Sequence, residues 1–244
     1  MKDYTQAPDL KINGSGTASG GFYNLVRING AGRITGDIDC GNFIINGSGD
    51  ANGNVQSGTV KVNGSGHIGG DTRSADVKVY GSANFDGGIF CETLNINGSA
   101  DIKKSVQAHT VDIDGSMKAQ DNCSAETFKS SGMFEIGGLL NAEDIDIRLY
   151  WHRSRAREIG GKRISVALGK AGLGVIKALF QSATFPSLEA DIIEGDDITL
   201  ENTIAKVVRG NNVVVGAGCD IKLVEYKGSY RKNMGAKVAE EKKI

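Results

Sequence analysis

Counted from a series of recurring glycines, the apolar residues of the first 150 positions fall into columns. The glycines are Gly14, Gly30, Gly47, Gly64, Gly81, Gly98, Gly115 and Gly132, spaced 16 apart once and then 17 apart six times in succession. Four residues before them stand Leu10, Val26, Phe43, Val60, Val77, Leu94, Val111 and Phe128. Two before them stand Ile12, Ile28, Ile45, Val62, Val79, Ile96 and Ile113, with Ser130 as the exception. Further pairs of apolar or small residues follow two and four positions after each glycine, and eight and ten after it. The members of a pair are two apart, the spacing of a strand with one face buried. Successive pairs begin 6, 6 and 5 positions apart, so each repeat holds three short strands and three corners. This pattern predicts an all-β fold, a triangular parallel β-helix of about eight 17-residue turns over residues 10–149, stacked at roughly 4.8 Å.

Asn13, Asn29, Asn46, Asn63 and Asn97 precede the glycines, and Asp114 occupies the same column. Asn-Gly and Asp-Gly corners predict a positive φ at the turn, and asparagines stacked in register predict a side-chain ladder. The composition agrees with many tight turns: 35 glycines and two prolines, without the Gly-X-Y period of collagen. The N-terminus, MKDYTQAPDL, lacks the apolar core of a leader peptide, and no apolar run long enough to span a bilayer occurs, so a cytoplasmic protein is expected. Cys40, Cys91, Cys123 and Cys219 show no C-x-x-C spacing. Cys40 and Cys91 share a column three repeats apart, roughly 14 Å at the strand spacing and too far for a disulfide. They are read as small core residues.

The columns also predict where the coil stops. A ninth turn would bring Arg153 and Arg157 to inward positions, and an unpaired buried charge is costly, so the regular coil is expected to end near Tyr150. Beyond it the sequence divides into a basic connecting or capping segment (150–186), a C-terminal β block (187–227) and a charged, unordered tail (228–244). Residues 1–149 carry 12 Lys/Arg against 18 Asp/Glu, whereas 150–185 carry seven against one. The chain as a whole has a formal net charge of −1, which gives no general attraction for nucleic acid. In the basic segment ISVALG alternates as a strand, and Leu168, Val175, Leu179 and Phe180 share one face of a helix opposite Lys170 and Lys177. Three roles fit: a cap over the open coil, peripheral contact with the inner face of an anionic membrane, or a dock for an acidic partner. The contact residues for the last two are Arg153, Arg155, Arg157, Lys162, Arg163, Lys170 and Lys177. In the β block, Val213, Val215, Ala217, Cys219, Ile221 and Leu223 alternate, as further coil turns or as a separate small sheet.

Candidate chemistry is sparse. His67, His109 and His152 stand apart from one another and read as isolated surface histidines. Asp37, Asp39, Asp71 and Asp112 face outward, but turns this short leave no loops to build a substrate groove around them. EIGGKR and GKAGLG are glycine-rich beside lysine without matching a phosphate-binding loop. No catalytic, cofactor or metal site is expected.

The repeated strand motif, LKINGSG, VRINGAG, FIINGSG, VKVNGSG and LNINGSA, resembles that of the bactofilins, polymer-forming bacterial cytoskeletal proteins. The stretch 193–226 resembles the second block of a longer, two-part version of that family. The resemblance implies a right-handed β-helix that assembles without nucleotide or cofactor into non-polar filaments by end-to-end stacking. The partner is the chain itself or a paralogous subunit. It also implies a non-enzymatic scaffold for envelope proteins in cell shape, polarity or motility. Open coil ends fit this, because each offers unpaired backbone groups and an uncovered apolar cross-section. The first turn then supplies the assembly surface: Leu10, Ile12, Phe22, Tyr23, Val26 and Ile28. The competing class is a hexapeptide-type acyltransferase or other β-helix enzyme. GNNVVVGAGCDI (210–221) has the local character of the former, whose turns count 6+6+6 where the repeats of this chain count 6+6+5.

Overall fold

The computed structural model describes residues 3–150, 152–169 and 186–244. Among them every regular element is a strand. The chain forms two compact units, residues 1–121 and 122–244.

The first unit holds β1 (Leu10–Ile12), β2 (Ser15–Ile28), β3 (Ala31–Ile45), β4 (Ser48–Ala51), β5 (Val55–Val62) and β6 (Ser65–Ile68). It continues with β7 (Thr72–Val79), β8 (Ser82–Phe85), β9 (Ile89–Ile96), β10 (Ser99–Ile102), β11 (Val106–Ile113) and β12 (Ser116–Ala119). All pairing is parallel, at offsets of 16 or 17 along the chain. Leu10, Val26, Phe43, Val60, Val77, Leu94 and Val111 stack as one column, which makes seven rungs. The columns read from the sequence are therefore the interior of a parallel β-helix. Val26, Phe43, Val60, Val77, Leu94 and Val111 have no exposed surface. Burial of each such side chain contributes about 1.5–3 kcal/mol.

The corners differ from expectation in one respect. Among the described residues, positive φ is confined to Gly21, Gly36, Gly218, Gly235 and Asn202, so the Asn-Gly corners do not use it. Their glycines answer a steric demand instead. A Cβ on Gly47, Gly64, Gly81, Gly98 or Gly115 would fall onto the carbonyl oxygen of the glycine one rung earlier. The expected ladder forms in part: Asn29, Asn46 and Asn63 each donate from Nδ2 to Oδ1 of the asparagine one rung before, at 2.7 Å. Tyr80 then takes the column, and Asn97 donates to Asp114 at 3.3 Å. At another corner the carboxylate or amide oxygens of Asp37, Asn54 and Asp71 accept the backbone N–H of Asn54, Asp71 and Gly88 at 2.7–3.0 Å.

The second unit corrects the expected end of the coil. It contains β13 (Cys123–Ser130), β14 (Met133–Leu149), β15 (Arg153–Leu168), β16 (Ser187–Leu200), β17 (Thr203–Val215), β18 (Asp220–Lys232) and β19 (Lys237–Lys243). All are parallel, and Phe128, Ile145, Ile164, Ile198, Val213 and Tyr230 mark six rungs. With the seven of the first unit, the rungs exceed the eight expected. Coiling continues past Tyr150 because the corner before Arg153 is longer. Glu135 pairs with Arg155, an offset of 20 rather than 17, which relaxes to 19 at Leu139 and Glu158 after a bulge. The shift turns Arg153 and Arg157 outward and brings Ser154 and Ala156 to the inside, where both are buried. Ser154 is usable there because its hydroxyl accepts the Phe134 N–H at 3.2 Å. The block 187–227 is further coil rather than a separate sheet. The tail expected to be unordered enters β18 and forms β19, paired with β18 from Asp220↔Lys237 to Tyr226↔Lys243. The helix read over 168–180 lies, apart from Leu168 and Gly169, outside the described residues.

Candidate assembly surface

The first rung of the first unit is half open. Residues 4–8 fold under its third side: the Pro8 carbonyl accepts the Asn24 N–H at 3.0 Å, and Tyr4 stacks on Phe22 with ring centroids 5.1 Å apart. The Tyr4 hydroxyl donates to Asp39 Oδ1 at 2.8 Å. Desolvation, reinforced by that carboxylate, pushes the phenol up to about 12. The other two sides, Leu10–Ile12 and 15–18, have no strand of the described residues beneath them. Leu10 and Ile12 are consequently half-buried, whereas Val26 and Ile28, one rung inward in the same columns, have no exposed surface. Of the six residues expected to carry assembly, Val26 and Ile28 are thus core beneath Leu10 and Ile12 and offer no surface. Phe22 remains 47% exposed despite Tyr4, and the Tyr23 hydroxyl donates to the Ser19 carbonyl at 3.0 Å. Lys11 is held by Asp9 at 2.9 Å. That contact, followed by the Asn24 hydrogen bond, lowers the Asp9 carboxyl pKa.

Among its described residues, the basic segment is not a free positive face. Arg155 pairs with Glu135 at 2.6 Å, Arg153 with Glu189 at 3.1 Å and Arg157 with Glu158 at 3.5 Å. Arg163 pairs with Asp144, its register partner on β14, which raises the guanidinium pKa further. Lys162 is exposed, and Lys170 and Lys177 lie outside the described residues. Three of the four acidic partners, Glu135, Asp144 and Glu189, come from other parts of the sequence, so a local count of charge overstates the patch. Such surface pairs contribute about 0–1 kcal/mol each. Their effect here is to remove net charge from the face.

Three of the outward aspartates have structural partners. Asp37 and Asp71 cap backbone N–H groups, and Asp39 accepts from Tyr4. None of the four cysteines is in a disulfide. Burial pushes the Cys40 thiol up to about 11 and that of Cys91 to about 12, both poor nucleophiles at neutral pH. No group of three or more His, Cys, Asp or Glu among the described residues is arranged to hold a metal ion. No helix among them is long and apolar enough to cross a membrane.

His67 corrects the reading of isolated histidines. Its Nδ1 lies 3.0 Å from Asp50 and its Nε2 2.9 Å from Asp86. Arg33 reaches Asp50 at 3.0 Å and Lys103 reaches Asp86 at 2.6 Å, so five groups of alternating charge run across successive rungs. The signal lay in the period, for Asp50 stands one full repeat before His67. The Asp86 and Asp50 hydrogen bonds raise the His67 pKa above 6.5 in the folded chain. A raised histidine contributes stability that is fully present below the unfolded pKa and is lost as pH rises through the folded one. With 39% of the side chain exposed, solvent keeps the effect small. His67→Gln is therefore expected to lower the melting temperature most below about pH 6 and to match the parent in alkaline buffer. A difference that grows with pH would contradict this assignment.

Comparison with known proteins places these features in context. The family model described as "Bactofilin: Polymer-forming cytoskeletal" matches residues 4–90. The protein YhbE of Bacillus subtilis (strain 168) is 56% identical over 235 residues, which cover 96% of this chain and 98% of YhbE. YhbF of the same organism is 38% identical over 107 residues, 44% of this chain and 42% of YhbF. No solved structure matches.

Proposed function

Because the chain belongs to the bactofilins, polymer-forming cytoskeletal proteins, we propose that it is a cytoplasmic, non-enzymatic scaffold that self-associates without nucleotide through its open first rung. The observation that carries this reading is the partial exposure of Leu10 and Ile12 in columns whose other members in the first unit are completely buried. An uncovered parallel strand edge joined to an apolar cross-section is a template for another chain. A second copy or a paralogous subunit can cover it, and the partial match to YhbF fits the paralogue. Assembly by edge pairing and apolar burial needs no phosphate energy. The scaffold would present the outward faces of its rungs to envelope-associated proteins. Because the arginines of β15 are largely paired within the chain, the reading does not depend on an anionic membrane.

Ile12→Arg tests it. The substitution places a charge on the open cross-section and leaves the rungs above it in contact. Sedimentation of the parent chain without nucleotide should show association, and the variant should sediment as a monomer with an unchanged β signal in circular dichroism. Association that persists in Ile12→Arg would remove the first rung from the mechanism. Loss of the β signal would mean that Ile12 holds the coil together.

A further inference from the structure

The rungs that begin and finish the repeat series are built in opposite ways. At the first, the interior columns start with Leu10, Ile12 and Ala18, all apolar and all partly exposed. At the last, the interior columns of the second unit change character in their final residue. The column Ile164, Ile198, Val213 ends in Tyr230, and the column Val166, Leu200, Val215 ends in Lys232. The column Ile159, Ile193, Val208, Val224 ends in Glu241. One column, Ala205 and Ile221, keeps an apolar end in Val238. Strand β19, which forms the outer edge, reads KVAEEKK, and six of its seven residues are exposed. Inward-facing charges and lysine-rich edges are the features by which sheet proteins prevent edge-to-edge growth.

Resting on the reading above, we propose that only the first rung is adhesive, and that the chain alone forms a closed pair with two first rungs facing one another. A single adhesive patch on identical subunits meets itself, and a contact of that kind is isologous and stops at two. The occupant is a second copy because the polymer-forming family match, residues 4–90, includes the open rung and ends long before Tyr230. The open rung is also nearly neutral, its Lys11 being held by Asp9, so two copies meet without repulsion. Growth beyond the pair requires a subunit with two open ends, and in such a polymer this chain occupies the terminus.

The experiment is analytical ultracentrifugation with negative-stain electron microscopy of the full chain. The parent is expected to sediment at twice the mass of one chain, without filaments. The triple variant Tyr230→Val, Lys232→Val, Glu241→Val opens the last rung and is expected to form filaments, which Ile12→Arg added to it should shorten to pairs. Should the triple variant fail to fold, single cysteines keep the test. A bifunctional maleimide should join two copies carrying Thr17→Cys at the first rung, and should not join copies carrying Ala239→Cys on β19. Filaments of the parent chain would overturn the closed end while leaving self-association intact. A parent that stays monomeric at high concentration would overturn self-association itself. Pairs joined through Ala239→Cys would overturn the assignment of the adhesive end.

Discussion

Gly64→Ala is expected to lower the melting temperature of the chain by roughly 6–12 °C, for a loss of about 3 kcal/mol at the upper end of ordinary overpacking. The added methyl has no vacant space. It meets the Gly47 carbonyl oxygen, and the Asn46 carbonyl lies close by. Both are backbone atoms of the preceding rung, so no rotamer change relieves the clash and the rungs must separate. Separation also weakens the Asn63–Asn46 side-chain bond, which spans the same gap at 2.7 Å. Gly14→Ala provides the control. It is the same residue in the same column, but nothing lies within 4 Å of the added carbon because no rung is beneath it. At concentrations that keep the chain monomeric, Gly14→Ala should melt with the parent or slightly above it, since alanine narrows the unfolded ensemble. Thermal unfolding followed by circular dichroism decides the matter. Equal effects at the two positions would show that the corner restricts backbone dihedrals rather than space.

Phe128→Ala is expected to cost about 3–5 kcal/mol, or roughly 10 °C in melting temperature. Phe128 has no exposed surface, and its ring meets that of Phe134 edge-on, with centroids 5.2 Å apart and planes at 81°. Truncation removes both the transfer of the ring out of water and an aromatic contact worth about 0.5–1.5 kcal/mol beyond its area. The neighbours cannot close the gap, because Ile145 is fixed to Phe128 by the strand register. Phe128→Leu should recover more than half of the loss. An alanine variant that melts within about 2 °C of the parent, roughly 1 kcal/mol or less, would show that the rung collapses around the vacancy.

The first unit was legible because its period is strict. With the offset fixed at 17 after the first turn, a residue's column identifies its neighbours, and Val60, Val62, Ile68 and Phe85 could be placed indoors from spacing alone. The asparagine bonds followed from the same counting. What the sequence hid was whatever depended on a change of offset or on distance across rungs. The longer corner before Arg153 reversed the faces of the following strand, and nothing local marks that corner as longer. The pairs Arg155–Glu135 and Arg209–Glu225 join positions 20 and 16 apart, so neither segment's charge can be judged alone. Arg209 is held from both sides, by Glu225 at 2.8 Å and Glu194 at 3.1 Å. The candidate assembly surface was half legible. Spacing found the end turn, but only the stacked structure separates Leu10 and Ile12, which lie at the surface, from Val26 and Ile28, which they cover. The polar ends of the last columns, Tyr230 and Lys232 on β18 and Glu241 on β19, read as tail in the sequence because the charge of 228–244 hides their register.

The offset of 17 that holds through most of the first unit has a consequence for how such a chain changes length. Each residue between Ile38 and Val106 has a counterpart 17 positions away in the same structural environment. An unequal crossover between any two counterparts joins a strand to its own continuation, wherever the break falls. Gain or loss of one period therefore lengthens or shortens the coil by a whole rung while its faces, corners and interior stay in phase. In the second unit, where offsets of 20, 19, 17 and 15 occur, the same accident would rotate inside to outside. One half of the gene is thus free to vary its copy number, and the other is held to the length it has.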